Sequence, residues 1–297
     1  MRSGFIGLIG RPNVGKSSLV NAMVGRKVAI ISDKPQTTRN AIQGIRTDED
    51  SQMVFIDTPG IHKPKNKLGK ILNKQACYSL HDVDIILFLI DITEPLGKGD
   101  MFILNLLKDV TAPVILVINK IDKLPKEEIL KKIEEYKDLY NFSDIVPVSA
   151  KKNDNVDRLI SVIKEKLTDN IKYYDDDMYT DKPINFIVSE IIREKILELT
   201  FEEVPHSVSV ITEMMEYSKE SVNIKATIVV DRENLKGIIL GKNGSMIKEI
   251  GTRARTEIEP LLGKKVYLEL FVKVIEKWRD REKFLNDTLY KEFNFDK

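Results

Sequence analysis

FIGLIGRPNVGKSSLVNAMVG, Phe5 to Gly25, passes from an apolar run through a loop framed by glycines into a segment of helical period. Its middle, Gly10 to Ser17, matches G-x-x-x-x-G-K-[ST], and the strand before it and the helix after it are the context that gives such a match meaning. Glycine lets successive N–H groups curl around phosphate oxygens without a Cβ clash, and the start of the helix adds a favourable field. Lys16 is placed to reach the β and γ phosphates and Ser17 to offer its hydroxyl to Mg²⁺. Gly10, Arg11, Pro12, Asn13, Val14, Gly15 and Ser18 complete the expected cradle.

Outward from this loop, the apolar runs MVFID, IILFLID, PVILVIN and IVPVSA alternate with longer segments of mixed polarity. That alternation predicts an α/β domain over residues 1–170, a mostly parallel sheet with helices on both faces, and the Gly10–Ser17 loop makes it one of the P-loop NTPase kind. The texture changes at Asp169, where DNIKYYDDDMYTDKP has three consecutive aspartates and no apolar period; residues 171–183 read as a linker. Residues 184–297 read as a second, smaller α+β domain, and 297 residues suffice for two cores. With 47 basic against 46 acidic residues, any basic surface must be local. A single cysteine, Cys77, excludes an internal disulfide and a cysteine-rich metal site, which fits a reducing, cytoplasmic compartment. The apolar run at the N-terminus is too short for a secretory signal, and IILFLI is far below the roughly 18 residues of a membrane span, so the chain reads as soluble.

Three further stretches complete a nucleotide site. In FIDTPG, Asp57 ends an apolar run and is placed to hold Mg²⁺, while the Gly60 N–H can sense a γ-phosphate; Thr58 and Pro59 lie between them. In NKID, Asn119 to Asp122, the Asp122 carboxylate can accept from guanine N1–H and its exocyclic amine, a donor pair adenine does not offer. Lys120 would pack along the base and Ile121 lies beside it, while Ser149, Ala150 and Lys151 of VSAKKND would cover the base edge. Within SDKPQTTRN a hydroxyl must complete the Mg²⁺ shell; Thr38, which directly precedes Arg39, is the expected one, with Thr37 as the fallback.

In the second half, INFIVSEIIREKILELTF has helical spacing, SVSVITEMMEY and VNIKATIVVD alternate as strands, a helix is expected from Ser245 to about Leu262, and KKVYLELFVKV alternates again. GIILGKNGSMIKEIG, Gly237 to Gly251, holds a second Gly-Lys pair, but with the lysine inside the glycine pair it cannot be a second phosphate loop of the first kind. Gly241-Lys242-Asn243-Gly244 instead fits the G-x-x-G of a KH domain, whose loop lies against the backbone of about four single-stranded nucleotides, and the element order is that of KH type II. The expected RNA contacts are Ile239, Gly241, Lys242, Asn243, Gly244, Lys248 and Arg253. Between Lys236 and Lys283 there are 12 basic and 7 acidic residues, a local excess that can hold phosphate. Trp278 and Tyr267 could stack bases, although core or partial burial is the ordinary place for both.

The ordered set GRPNVGKS, PQTTR, DTPG, NKID and VSA, followed by the KH-like half, resembles the Era family of GTPases over nearly the whole chain. The resemblance implies a GTPase whose G domain, residues 1–170, uses Lys16, Thr38 and Gly60 in hydrolysis, whose KH domain binds 16S ribosomal RNA, and which acts in assembly of the small (30S) ribosomal subunit; a monomer is the expected state. Weak peripheral association with the cytoplasmic face of the inner membrane belongs to the same expectation. Ile61 stands where Ras-like enzymes carry a water-orienting glutamine, which implies slow intrinsic hydrolysis. His62 could position the water and Arg39 could neutralise charge in cis, but a solvated histidine and a salt-bridged or solvated arginine are the plainer readings. Asn13 is the better candidate, because related GTPases use an asparagine there to help bind K⁺. Two other readings stand beside this one. One is an RNA-binding scaffold whose GTP is structural; the other is a membrane-peripheral regulatory GTPase, whose mark would be a basic amphipathic helix in EKWRDREKFLNDTLYKEF.

Overall fold

The computed structural model describes residues 1–34, 37–61, 64, 66–78 and 82–286, the side chain of Tyr78 excepted; His62 lies outside the described residues. The chain forms two compact units, Met1–Lys65 with Gly69–Asp181, and Asn66–Leu68 with Lys182–Lys297.

The first unit is built on β1 (Arg2–Gly10), β2 (Ile42–Thr47), β3 (Ser51–Asp57), β4 (Ile85–Asp91), β5 (Val114–Asn119) and β6 (Asp144–Pro147). They form one six-stranded sheet in the order β2-β3-β1-β4-β5-β6, with β2 antiparallel to β3 and the other pairs parallel. The helices are α1 (Lys16–Val24), α2 (Lys67–Tyr78), α3 (Lys98–Leu106), α4 (Lys126–Tyr136) and α5 (Val156–Lys166). β4 and β5 are apolar at every position before their last residue because both faces are covered. Ile85, Leu87 and Leu89 of β4 join the core that includes Leu19 and Ile163, whereas Ile86, Phe88 and Ile90 join the core on the other face, with Ile103 and Tyr136. This wrapping leaves the carboxyl ends of the strands free, and Gly10, Asp57, Asp91 and Asn119 all end strands on that edge.

The segment expected as a linker is held for most of its length. Asp169 bridges to Ser3 and Thr180 to Gly44. Tyr173 N and Tyr174 N both donate to Gln52 Oε1 at 2.8 and 2.9 Å, and Ile45 N donates to the Tyr179 carbonyl at 2.9 Å. The aspartate run is exposed, but the backbone around it is tied to the sheet, and the division between units falls after Asp181.

The second unit contains α6 (Ile184–Leu199), the short turn α7 (Val204–Ser207), β7 (Val208–Tyr217), β8 (Ser221–Val230), α8 (Glu233–Leu240), α9 (Ser245–Leu262), β9 (Lys265–Val274) and the turn α10 (Glu282–Phe284). β8 is central, antiparallel to β7 and parallel to β9. Its alternate residues Val222, Ile224, Ala226, Ile228 and Val230 are all buried, and α6 and α9 pack on the sheet and on each other. At the join of those two helices the Lys195 ammonium meets Glu194, Glu198 and Glu257 at 3.0, 2.8 and 2.5 Å. Trp278 is fully buried and its Nε1 donates to the Ser207 carbonyl at 2.9 Å. Tyr267 departs from the plainer expectation: its parity in β9 turns it outward and leaves it 64% exposed.

Candidate functional site

The P-loop, the β3 end, the NKID loop and the loop after β6 enclose a cleft of about 1190 Å³. Arg11, Pro12, Asn13, Val14, Gly15, Lys16, Ser17 and Ser18 all line it. Gly15 has φ +98, and a Cβ there would come within 2.3 Å of Asn119 Nδ2, so both conformation and space require glycine. Lys16 is buried and its ammonium donates to the carbonyls of Gly10 and Arg11 at 3.3 and 3.2 Å. Burial pulls its pKa down to about 8 against the opposing pull of Asp57. Gly10 itself is beneath the cleft floor, where a Cβ would sit 2.6 Å from the Leu89 carbonyl.

Three groups converge below the phosphate end. Ser17 Oγ donates to Asp57 Oδ2 at 2.6 Å, Thr38 Oγ1 to the same oxygen at 3.2 Å, and the two hydroxyls are 2.9 Å apart. Thr37, the fallback, instead donates to the Lys34 carbonyl at 2.7 Å. Asp57 is fully buried, which raises its pKa, and its Oδ1 is without a hydrogen-bond partner. Two hydroxyls beside a buried carboxylate with an orphan oxygen are hard oxygen donors of the kind Mg²⁺ takes. Gly60 lines the cleft, and a Cβ on it would come within 2.9 Å of Pro12 backbone atoms.

Several expected contacts are corrected here. The Thr58 hydroxyl points inward to the Leu8 carbonyl at 2.7 Å and is buried, so that side chain braces β3 against β1 and does not face the cleft. Pro59 is buried beside it, and Ile121 packs on the core around Tyr136. Ile61 is likewise core, 6% exposed, so an apolar side chain is turned away from where a water would need orienting. Arg39 is 3% exposed, which rules out the solvated reading, and it is not among the cleft's lining residues.

At the base end, Asn119 knits three loops. Its Nδ2 donates to the Val14 carbonyl at 2.8 Å, while its Oδ1 accepts from Lys120 N at 2.8 Å and from Ala150 N at 3.1 Å. Asp122 is exposed in the cleft, with Oδ1 held by Ser149 Oγ at 2.5 Å; Ser149 is buried and works from behind. Ala150 and Lys151 line the cleft. Sequence reasoning missed Asp91, Thr93, Glu94 and Lys123, which also line it. An acidic residue ending a second apolar strand was the available signal for Asp91.

In the second unit, Gly241 has φ +70 and ψ 172, a region open essentially to glycine, and a Cβ would lie 2.7 Å from Met246 N. Asn243 and Gly244 are left-handed, at φ 53 and 75. Lys242, Asn243 and Lys248 are exposed; Arg253 is exposed and paired with Glu249 at 2.7 Å. Ile239 is a correction: it is fully buried on the inner face of α8, and its neighbour Ile238, 47% exposed, is the apolar side chain presented beside the loop.

Fold and cleft together define a P-loop protein of the GTPase class, carrying a second domain with a G-x-x-G loop between two helices. The family model described as 50S ribosome-binding GTPase matches residues 5–120, and the KH domain model matches residues 203–279. A solved structure of Era in complex with MgGDPNP and nucleotides 1506–1542 of 16S ribosomal RNA is 43% identical, with a TM-score of 0.95, covering 98% of this chain and 99% of that one. An Aquifex aeolicus Era variant bound to GDP·AlF4⁻ is also 43% identical, with a TM-score of 0.94 over the same shares of the two chains. The chain belongs to the Era family.

Proposed function

We propose that this chain binds and hydrolyses GTP in the first unit, holds 16S ribosomal RNA through the Gly241–Gly244 loop of the second, and acts in assembly of the small ribosomal subunit. The observation that carries it is the meeting of Ser17, Thr38 and Asp57 in the same cleft as Asn119 and Asp122, in a chain similar to Era along its whole length. The description of the G-domain family speaks of the large subunit, but that family model covers residues 5–120 alone, whereas the whole-chain likeness is to a protein solved with small-subunit RNA. Crosslinking the protein to total RNA, with a GTP analogue and with GDP, should enrich small-subunit ribosomal RNA. Enrichment of transfer or messenger RNA would overturn the assignment.

Ser17, Thr38 and Asp57 would hold Mg²⁺, which supplies positive charge to the phosphates. Lys16 reaches the transferred phosphoryl group, the Gly60 N–H senses it, and Thr38 lets go when it departs. With Ile61 in the core, intrinsic turnover is slow, and single-turnover hydrolysis with and without RNA separates an enzyme from a scaffold that merely keeps its GTP. Asn13 supports a potassium proposal: it lines the cleft and its Nδ2 donates to the Asp33 carbonyl at 2.7 Å, which leaves the amide oxygen as the atom that would take a monovalent cation supplying charge near the phosphates. Hydrolysis should be faster in K⁺ than in Na⁺; equal rates would remove Asn13 from the mechanism.

We also propose a cytoplasmic monomer with weak peripheral membrane association. No helix among the described residues is long and apolar enough to cross a membrane, and residues 287–297 of the basic-acidic C-terminal stretch lie outside them. Flotation with anionic vesicles tests the association.

A further inference from the structure

Asp91 ends β4 directly beside Asn119 of β5 in the sheet register, although 28 residues separate them in the chain. Its two carboxylate oxygens have different partners. Oδ1 accepts from Thr93 N at 3.0 Å and from Thr93 Oγ1 at 2.8 Å, closing the turn after the strand. Oδ2 takes the Lys120 ammonium at 2.5 Å, and the same ammonium donates to the Asn13 carbonyl of the P-loop at 2.7 Å. Asp91 is 7% exposed, so this charge pair is poorly screened. Lys120 itself has φ +66, a conformation costly for a lysine, and it is kept there by Asn119 at its backbone and by two acceptors at the tip of its side chain.

We propose that Asp91 is a positioning residue for nucleotide retention: it fixes the Lys120 ammonium against the Asn13 carbonyl, so that the lysine stem is laid out as one wall of the base pocket and the base loop is pinned to the P-loop. Without the carboxylate, the ammonium would have one anchor instead of two and the stem would sample other rotamers, opening the base end of the cleft. Asp91 lines the cleft, but both of its oxygens are taken by Thr93 and Lys120, so it acts through the lysine. The proposal rests on reading this cleft as the guanine-nucleotide site.

The division of labour between the two oxygens supplies a clean test. In Asp91→Asn the amide oxygen can still accept from Thr93, while an NH₂ group, which cannot accept from an ammonium, faces Lys120. Release of fluorescent GDP from the full-length protein should then be faster by about 10- to 100-fold, the range for a lost charge-assisted hydrogen bond. Lys120→Met, which keeps the stem and removes the charge, should accelerate release comparably, and the double variant should be within about threefold of Lys120→Met alone, because a pair acting as one unit is not additive. Release from Asp91→Asn within twofold of the parent would overturn the proposal, as would an undiminished effect in the Lys120→Met background. Unchanged release from Lys120→Met would overturn it together with the reading of the cleft. Should Asp91→Asn fail to fold, Asp91→Glu against Asp91→Gln makes the same comparison at equal length, with the charged form retaining GDP longer.

Discussion

Lys16 shows how burial at one residue reaches into binding. Its ammonium is enclosed with two carbonyls and faces Asp57, and its pKa falls from 10.5 to about 8 because burial disfavours the charge. Phosphates need that charge, so GDP binding to the ligand-free protein draws in a proton once the lysine has begun to lose it. Affinity should be nearly flat below pH 7 and about fourfold weaker by about pH 8.5. Folding runs the other way: the unfolded lysine keeps its proton up to about 10.5, so between the two pKa values the unfolded chain holds more protons and the ligand-free fold gains stability as pH rises. Calorimetric titration with GDP in two buffers of different ionisation enthalpy reads the proton uptake directly; none at about pH 8.5 would show that Lys16 keeps its charge in the empty cleft. That Lys16, Ser17, Asp57, Asn119 and Asp122 come together around one cleft was legible, because they stand at fixed spacings from loop and strand ends. Asp91 and the inward Thr58 were not, since what decides them is a partner on another strand.

Among the elements, the strands and helices whose burial alternates were read closely: VNIKATIVVD became β8 and the helix expected from Ser245 became α9. The segment read as a linker, 171–183, is tied to the first unit over part of its length in a way its sequence pattern does not signal. It has no apolar period, and what holds it is backbone groups and one buried amide, Gln52, more than a hundred residues away. Gln52 Oε1 takes the amides of Tyr173 and Tyr174, and its Nε2 donates to Thr47 Oγ1 and to the Tyr174 carbonyl, both within about 3.0 Å. Gln52→Leu fills similar volume and supplies none of these partners. It should cost about 1–3 kcal/mol in urea unfolding and speed hydrogen exchange at Tyr173 and Tyr174 well beyond the global change. Exchange that stays slow at those two amides would mean the segment is held by its edge bridges to Ser3 and Gly44 instead.

Across the whole molecule, two glycine-lysine loops lie in two units, and in each the glycines would let backbone come near phosphate. Their separation makes them separable by substitution, but the two outer glycines of the second loop differ. At Gly241 a side chain would drive into Met246 N at 2.7 Å, so any effect there mixes lost RNA with a displaced α9. At Gly244 nothing lies within 4 Å of an added Cβ, and the remaining penalty is the left-handed backbone at φ 75, about 1 kcal/mol for most residues and less for asparagine. Gly244→Asp therefore sets a carboxylate where the RNA backbone would lie without disturbing the packing, and Gly244→Asn matches its shape without the charge. The aspartate variant should bind small-subunit ribosomal RNA at least about tenfold more weakly, with the asparagine variant between it and the parent, and GDP affinity within about twofold in both. Equal loss in the two variants would assign the effect to backbone strain, and loss of GDP affinity along with RNA would mean that the substitution reaches the fold of the first unit.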